Sequence, residues 1–249
     1  MYRLVPRDQI AALSYLAADT HPVVSTITDR VQGMPLVHAS AEEVLALKPT
    51  LVITYSKTNI RLKQALQKAH VPILEVPWAQ SLADVRRITR MLGARLNAKE
   101  RAAALIAEMD ARLVSARLQA ARPSVRTLVY EPNGYATQGN VSDEILAAAG
   151  LRNVAESLHT TRSGTLPVES VVAARPDLLI LNDESETAPA RANLVQRHPA
   201  LSALNGRSYI VRMPLTPLLC PGPWSADIAG TLARLGQAAQ GLSRQRAQQ

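Results

Sequence analysis

Short apolar runs recur along this chain, and segments with helical periodicity separate them. The clearest runs are LVITY at 51–55, RTLVY at 126–130 and LLIL at 178–181. A strand that is apolar on both faces is typical of a parallel sheet covered by helices on both sides. The pattern therefore predicts an α/β fold with central parallel sheets. Further strands are predicted at 9–14, 71–76 and 208–213.

The longest helical segment covers residues 97–121 and contains no Gly or Pro. Asn97 is a favourable N-cap, and Glu100 completes a capping-box pattern. A helix of this length spans roughly 36 Å, about the width of a small domain. We expect it to join two lobes, although a long surface helix on a single α/β domain is the alternative. Its apolar stripe is formed by Ala102, Leu105, Ile106, Met109, Leu113 and Ala116.

An internal repeat supports the interpretation with two lobes. Residues 42–53 align with residues 169–180, with six identical positions and Lys48 opposite Arg175. Each copy has a helical pattern, a proline and a buried strand, and the long helix lies between the copies. The sequence thus predicts an N-terminal lobe (1–96), a connecting helix (97–121) and a C-terminal lobe (122–249).

Composition and charge exclude several classes of protein. The chain has 28 basic and 20 acidic residues, a net charge of +8, and only 3% aromatic residues with no Phe. A nucleic-acid-binding protein concentrates its basic residues and interleaves aromatic ones, whereas here they are scattered, so we expect no nucleic-acid partner. The single cysteine, Cys220, excludes an internal disulfide. No apolar run reaches the ~18 residues of a membrane-spanning helix.

Aromatic and polar side chains gather where the predicted strands end. Ligands of parallel α/β sheets bind beyond the carboxyl ends of the strands. Six of the eight Tyr and Trp residues fall there, which indicates a ligand cleft; the alternative is that these rings only border the sheets. The candidate ligand-binding residues are Ser14, Tyr15, Tyr55, Ser56, Lys57, Trp78, Tyr130, Glu131, Asn133, Tyr135 and Trp224.

Motifs of enzyme chemistry are missing from the sequence. It contains no Gly-rich nucleotide loop, no HExxH and no GxSxG. The five histidines lack metal-ligand spacing, so no metal site is predicted, and His38 alone among them is a candidate ligand. Cys220 has the setting of an inert buried thiol. An α/β enzyme that uses Glu131 as an acid or base, with Lys57 opposite, is the alternative from another class.

Four segments resemble one family. They are SAEEVLALKPTLVITY (40–55), VPILEVP (71–77), the long Gly-free helix and VESVVAARPDLLILN (168–182). Together they are similar to the periplasmic binding proteins that serve iron–siderophore, haem and vitamin B12 ABC importers, and the resemblance extends over residues 9–240. It implies the class III fold, in which one long helix joins two Rossmann-like lobes with parallel sheets and a metal chelate is clamped between them.

The chain departs from the family pattern in three places. Residues 9–14 resemble the family's second strand, so we expect that the export signal and the first strand are missing and that the start is truncated. Glu184 and Glu186 are the candidates for permease docking, but the corresponding N-terminal segment, 57–63, has no Glu. The strand ends carry Tyr, Trp, Asn and Ser rather than His and Asp, which disfavours bare zinc or manganese as the ligand.

The resemblance and the residues together favour a binding protein without a catalytic step or a resident cofactor. We expect the substrate-binding component of an ABC importer, which captures a ferric siderophore or a cobalamin-type corrinoid. Haem, with His38 or a tyrosine as its axial ligand, is the alternative. The expected partners are a permease and an ATPase at the inner membrane, the expected location is the periplasm, and the expected state is a monomer.

Overall fold

The computed structural model describes residues 1–19, 25–120, 122–158, 164–182 and 191–248. Every strand pair in this described part is parallel, so the predicted α/β class with parallel sheets is confirmed. The strands are β1 (Leu13–Ser14), β2 (Leu36–Val37), β3 (Val52–Tyr55), β4 (Ile73–Val76), β5 (Val125–Tyr130), β6 (Leu151–Asn153), β7 (Leu178–Asn182) and β8 (Tyr209–Met213). The helices are α1 (Ala41–Ala46), α2 (Ile60–Lys68), α3 (Leu82–Arg95), α4 (Lys99–Gln119), α5 (Val141–Ala148), α6 (Val168–Ala174), α7 (Thr216–Leu219) and α8 (Ala229–Ala247).

The chain forms two compact units, Met1–Leu105 and Ile106–Gln249. The division falls inside α4, so this helix begins in the first unit and continues in the second. The lobe limits at residues 96 and 122 remain predictions.

The first unit contains two small parallel sheets, β1–β2 and β3–β4. In the second sheet, Tyr55 is paired in register with Val76, so β3 and β4 end at the same level. Leu62 and Leu66 of α2 are buried against this sheet, in a cluster that also includes Val37 of β2. The amphipathic helix therefore packs its apolar face on the strands whose ends carry candidate residues.

The second unit is built on one four-stranded parallel sheet with the order β6-β5-β7-β8. Its two central strands, β5 and β7, are almost entirely buried, as expected for apolar strands covered on both faces. The edge strand β6 is only three residues long, and the sequence pattern did not predict it. Burial of its first residue, Leu151, against the sheet decides this short strand.

Helix α4 confirms the predicted long helix and its buried stripe. All six predicted positions, from Ala102 to Ala116, are buried. In the first unit, Leu4 packs on Ala102 and Leu105. In the second unit, Arg112 forms an ion pair with Asp227, with a distance of 3.4 Å between Nε and Oδ1. No helix in the described ranges combines the length and the hydrophobicity needed to cross a membrane.

The turn between α3 and α4 corrects one prediction. Asn97 is not the N-cap of the long helix. It lies in the left-handed region with φ 51°, just after the C-cap residue of α3, and so ends that helix. Helix α3 contains Gly93 and continues to Arg95. The glycine allows a close approach, because a Cβ there would lie 2.5 Å from the Cβ of Ala102.

The first predicted strand is shorter than expected. The apolar run at 9–14 forms a strand only at Leu13–Ser14, and its first residue lies in the 3-10 turn Arg7–Gln9. Near the C-terminus, the proline-rich segment 214–223 contains the short helix α7. A 3-10 turn, Pro223–Ile228, then leads into α8.

Candidate ligand-binding residues at the strand ends

Two ring pairs lie at the carboxyl ends of the first unit's strands. Tyr15 follows β1 and His38 follows β2, and their rings stack with centroids 4.7 Å apart. Tyr55 ends β3 and Trp78 lies two residues beyond β4, with ring centroids 5.3 Å apart and tilted by 48°. Tyr15 is 44% exposed, and Tyr55 and Trp78 are each 48% exposed. These half-exposed rings offer flat contact area at low entropic cost.

A carboxylate holds His38 from one side. The backbone N–H of His38 donates to Oε2 of Glu43 at 2.6 Å, and its Nδ1 lies 3.5 Å from Oε1. Glu43 is itself fixed, because its N–H donates to Oγ of Ser40, the N-cap of α1. The imidazole is 68% exposed and its contact with Glu43 is made at Nδ1, so Nε2 is the ring nitrogen that remains for a ligand.

The polar candidates of the first unit continue the same strand ends. Oγ of Ser14 accepts the N–H of Leu16 at 3.4 Å and so caps the turn that carries Tyr15. The N–H of Ser56 donates to the carbonyl of Val76 at 3.0 Å, which extends the ladder between β3 and β4 by one bond. Lys57 is exposed, two residues beyond Tyr55.

In the second unit, three candidates share the loop that follows β5. Asn133 and Gly134 both have positive φ, 60° and 80°, and they turn the chain sharply. The N–H of Glu131 donates to the carbonyl of Tyr135 at 2.8 Å, which closes the loop. Asn133 and Tyr135 are exposed at its tip, whereas Glu131 is half-buried at its base.

The base of this loop is a hydrogen-bonded carboxyl group. Burial raises the pKa of Glu131, and the hydroxyl of Thr137, which donates to its carboxylate, lowers it in part. Asn153 secures the loop by donating from Nδ2 to the carbonyl of Thr137 and to Oδ1 of Asp143, both at 2.6 Å. Glu131 is thus held in place by a polar network.

Tyr130 is corrected from a ligand-binding residue to a core residue. It is completely buried, and its hydroxyl donates to the carbonyl of Leu166 at 2.8 Å. Nε2 of Gln196 donates to its backbone carbonyl at 2.6 Å. Burial, together with the nearby charge of Glu169, raises the pKa of Tyr130 to about 12. No part of this side chain remains for a ligand.

Trp224 is half-buried and belongs to its own loop. Its Nε1 donates to the carbonyl of Cys220 at 2.9 Å. The indole covers Gly222 so closely that a Cβ there would lie 2.3 Å from the ring. Burial raises the pKa of the Cys220 thiol, which disfavours the nucleophilic thiolate. Contact of Trp224 with a ligand remains a prediction.

The candidates therefore form three local groups, two in the first unit and one in the second. The groups are Ser14 and Tyr15 with His38; Tyr55, Ser56, Lys57 and Trp78; and Glu131, Asn133 and Tyr135. The sequence pattern did not predict that the rings of Tyr15 and His38 stack. It also did not predict that Lys63 binds the carbonyl of Ser56 or that Thr137 binds the carboxylate of Glu131. The spacing of His38 and Glu43 around a helix N-cap was an available signal. Glu184 and Glu186 lie outside the described residues. Within the described ranges, no three His, Cys, Asp or Glu side chains form a group that could hold a metal ion.

Comparisons with solved structures show the same fold. The periplasmic heme-binding protein RhuT from Roseiflexus sp. RS-1 has a TM-score of 0.70 and 22% identity, over 92% of this chain and 98% of its own. The periplasmic heme-binding protein BhuT, solved with two hemes, has a TM-score of 0.69 and 22% identity over 92% and 97%. An ABC-type Fe3+-hydroxamate transport protein from Saccharomonospora viridis has a TM-score of 0.62 and 20% identity over 90% and 83%.

Sequence comparison identifies the family. No curated protein matches the chain. The family model described as "Periplasmic binding protein" matches residues 16–206, a span that includes both copies of the repeat and the whole of α4. This chain therefore belongs to the periplasmic binding protein family, the solute-binding proteins of ABC importers.

Proposed function

We propose that this protein captures an iron chelate in the periplasm and delivers it to an ABC importer. The observation that carries the proposal is the pair of half-exposed rings, Tyr55 and Trp78, at the level ends of two parallel strands. A second ring pair, Tyr15 and His38, follows the other two strands of the same unit. Exposed flat rings suit a large, partly apolar, planar or aromatic-bearing ligand. Bare ions offer such rings little contact.

Haem is the chelate that the geometry favours most directly. A porphyrin supplies four ligands to iron, so a protein needs to add only one axial ligand. Nε2 of His38 can serve in that role because Glu43 engages the opposite ring nitrogen. The stacked phenol of Tyr15 adds flat contact area beside it. Two proteins of similar fold are described as heme-binding.

A ferric siderophore is the second candidate, and charge favours it. A siderophore saturates its iron, so recognition rests on the outer surface of the complex, which is frequently anionic. The chain carries a net charge of +8, and Lys57 is exposed two residues from Tyr55. Protein cations raise the local concentration of an anionic ligand. One similar fold is described as an Fe3+-hydroxamate transport protein.

Titration with four probes tests the proposal: haemin, a ferric hydroxamate siderophore, a ferric catecholate siderophore and cyanocobalamin. We expect one iron chelate to quench tryptophan fluorescence and raise the Tm, because a ligand at ~100 times its Kd adds about 2.7 kcal/mol to the free energy of unfolding. A response to cyanocobalamin alone would instead identify a corrinoid receptor. Silence to all four probes would refute the proposal.

Axial ligation of haem by His38 has its own test. His38→Ala should abolish the Soret shift of bound haemin, while Tyr15→Phe, which keeps the stacked ring, should preserve it. His70→Asn is the matched control, because His70 is exposed in the same unit and its φ of 55° suits asparagine. An unchanged Soret band in His38→Ala would remove His38 as the ligand and favour the siderophore.

Delivery to a permease with its ATPase completes the proposal, and Glu184 and Glu186 remain the predicted docking residues. Charge reversal at both positions should weaken association with the permease without affecting the Kd of the chelate.

The enzyme alternative rests on the raised pKa of Glu131. Turnover of a bound compound that is lost in Glu131→Gln would support it. We expect the receptor to act as a monomer, which its sedimentation coefficient will test.

A further inference from the structure

Lys63 binds next to both residues of the ring pair formed by Tyr55 and Trp78. It projects from α2, and its side chain is only 12% exposed. Its Nζ donates to the backbone carbonyl of Ser56 at 2.6 Å and to Oε2 of Glu75 at 3.1 Å. Charge-assisted hydrogen bonds of this kind are about twice as strong as neutral ones.

The two acceptors belong to the two strand ends that carry the rings. Ser56 directly follows Tyr55 at the end of β3. Glu75 lies on β4, one residue before Val76, and the chain then continues through Pro77 to Trp78. A single ammonium group on the helix therefore connects both strands at the point where they leave the sheet.

The backbone ladder by itself does not carry this connection beyond the strands. Its last bond joins the N–H of Ser56 to the carbonyl of Val76. Two side-chain bonds of the β3 loop are local: Thr58 donates to the carbonyl of Tyr55 and Asn59 donates to Oγ1 of Thr54, both at 3.2 Å. Neither of these two bonds reaches β4, whereas Lys63 binds both strands.

We propose that Lys63 is a positioning residue that sets the separation of Tyr55 and Trp78 and thereby the affinity for the ligand. The inference rests on the proposed function, since it assigns the two rings to ligand contact. Lys63 does not itself touch the ligand in this scheme. Its ammonium group binds the strand ends, so its effect on binding passes through the geometry of the rings.

Loss of the ammonium group should loosen both strand ends. In Lys63→Met the aliphatic stem is nearly preserved, but the carbonyl of Ser56 loses its charged donor and Glu75 loses its ion-pair partner. The half-buried carbonyl must then bind water or shift, and a shift moves the adjacent Tyr55. Orientation errors well below 1 Å are enough to weaken a preorganised contact.

The experiment separates ring geometry from ligand binding. Near-UV circular dichroism of the unliganded protein reports the coupling of Tyr55 with Trp78, and titration with haemin and the ferric siderophores reports the Kd. For Lys63→Met we expect an altered tryptophan band and a Kd weakened by about tenfold, equivalent to ~1.4 kcal/mol. Lys63→Arg, which keeps both hydrogen bonds within reach, should restore the affinity.

Lys68→Met is the matched control, because it removes an exposed charge from the last turn of the same helix. It should change neither signal. Glu75→Gln removes the ion pair but keeps the bond to Ser56, so its effect should be intermediate. A lower Tm in Lys63→Met with unchanged dichroism and Kd would overturn the proposal. If no probe binds to the wild type, the proposed function fails, and the dichroism still decides whether Lys63 sets the ring geometry.

Discussion

Truncation of Trp78 is the most direct perturbation of the proposed site. The indole is 48% exposed, and a large aromatic side chain buries about 150–250 Å² when it is covered completely. A ligand that covers the remaining half would therefore remove roughly 75–120 Å² from water. At ~25 cal/mol per Å², this area corresponds to about 2–3 kcal/mol. We expect Trp78→Ala to weaken the Kd by roughly 30- to 150-fold.

Isothermal titration calorimetry with the best of the four probes measures this change. Tyr55→Ala, with equal exposure in the same ring pair, should give an effect of similar order. Leu118→Ala is the control, because Leu118 is 84% exposed on α4 and lies outside the strand ends. Binding of Trp78→Ala within about twofold of the wild type, with an unchanged Tm, would show that the ligand does not cover the indole.

Three stability predictions follow from other parts of the structure. Because burial raises the folded-state pKa of Glu131, the free energy of unfolding should decrease as pH rises from ~4 towards that pKa. In thermal melts, Glu131→Gln should therefore raise the Tm at neutral pH, and this gain should vanish near pH 4. An equal gain at every pH would contradict the prediction. Met109 is fully buried on α4, so Met109→Ala should cost about 2–5 kcal/mol in urea denaturation, and a loss below ~1 kcal/mol would mean that the site collapses freely. Gly93→Ala should lower the free energy of unfolding by roughly 1–3 kcal/mol through its clash with Ala102. Ala102→Gly in the same chain should restore most of this loss, and the absence of rescue would place the strain elsewhere.

Local sequence signals predicted several elements correctly because their causes are local. Ser40 and Ser81 each precede a helical segment, and each accepts a backbone N–H, from Glu43 and Asp84, at 3.1 Å, as a serine N-cap does. The buried stripe of α4 follows directly from its 3.6-residue period. Asn97 shows the limit of this approach, because an asparagine between two helices can begin one or end the other. In the folded chain Asn97 ends α3, with φ 51° just after the C-cap residue.

Only the folded chain reveals the side chains that hold the strand-end residues in place. The sequence pattern predicts for Lys63 only a polar position on an amphipathic helix, whereas in the folded chain it binds Ser56 and Glu75. In the same way, the pattern around Glu131 does not reveal Thr137 and Asn153, which hold the loop. These partners are separated in the sequence from the groups that they bind, so periodicity and spacing carry no information about them.

Tyr55 and Tyr130 show most clearly what the sequence by itself determined. Each ends an apolar parallel strand, and the hydrophobic pattern correctly placed both at the carboxyl end of a sheet. The tertiary structure gave them opposite environments: Tyr55 is 48% exposed, whereas Tyr130 is completely buried. The reason is that Leu166 and Gln196, which lie 36 and 66 residues from Tyr130, bind its hydroxyl and its carbonyl. Periodicity decided where the strands end, and non-local packing decided which of the two rings a ligand can reach.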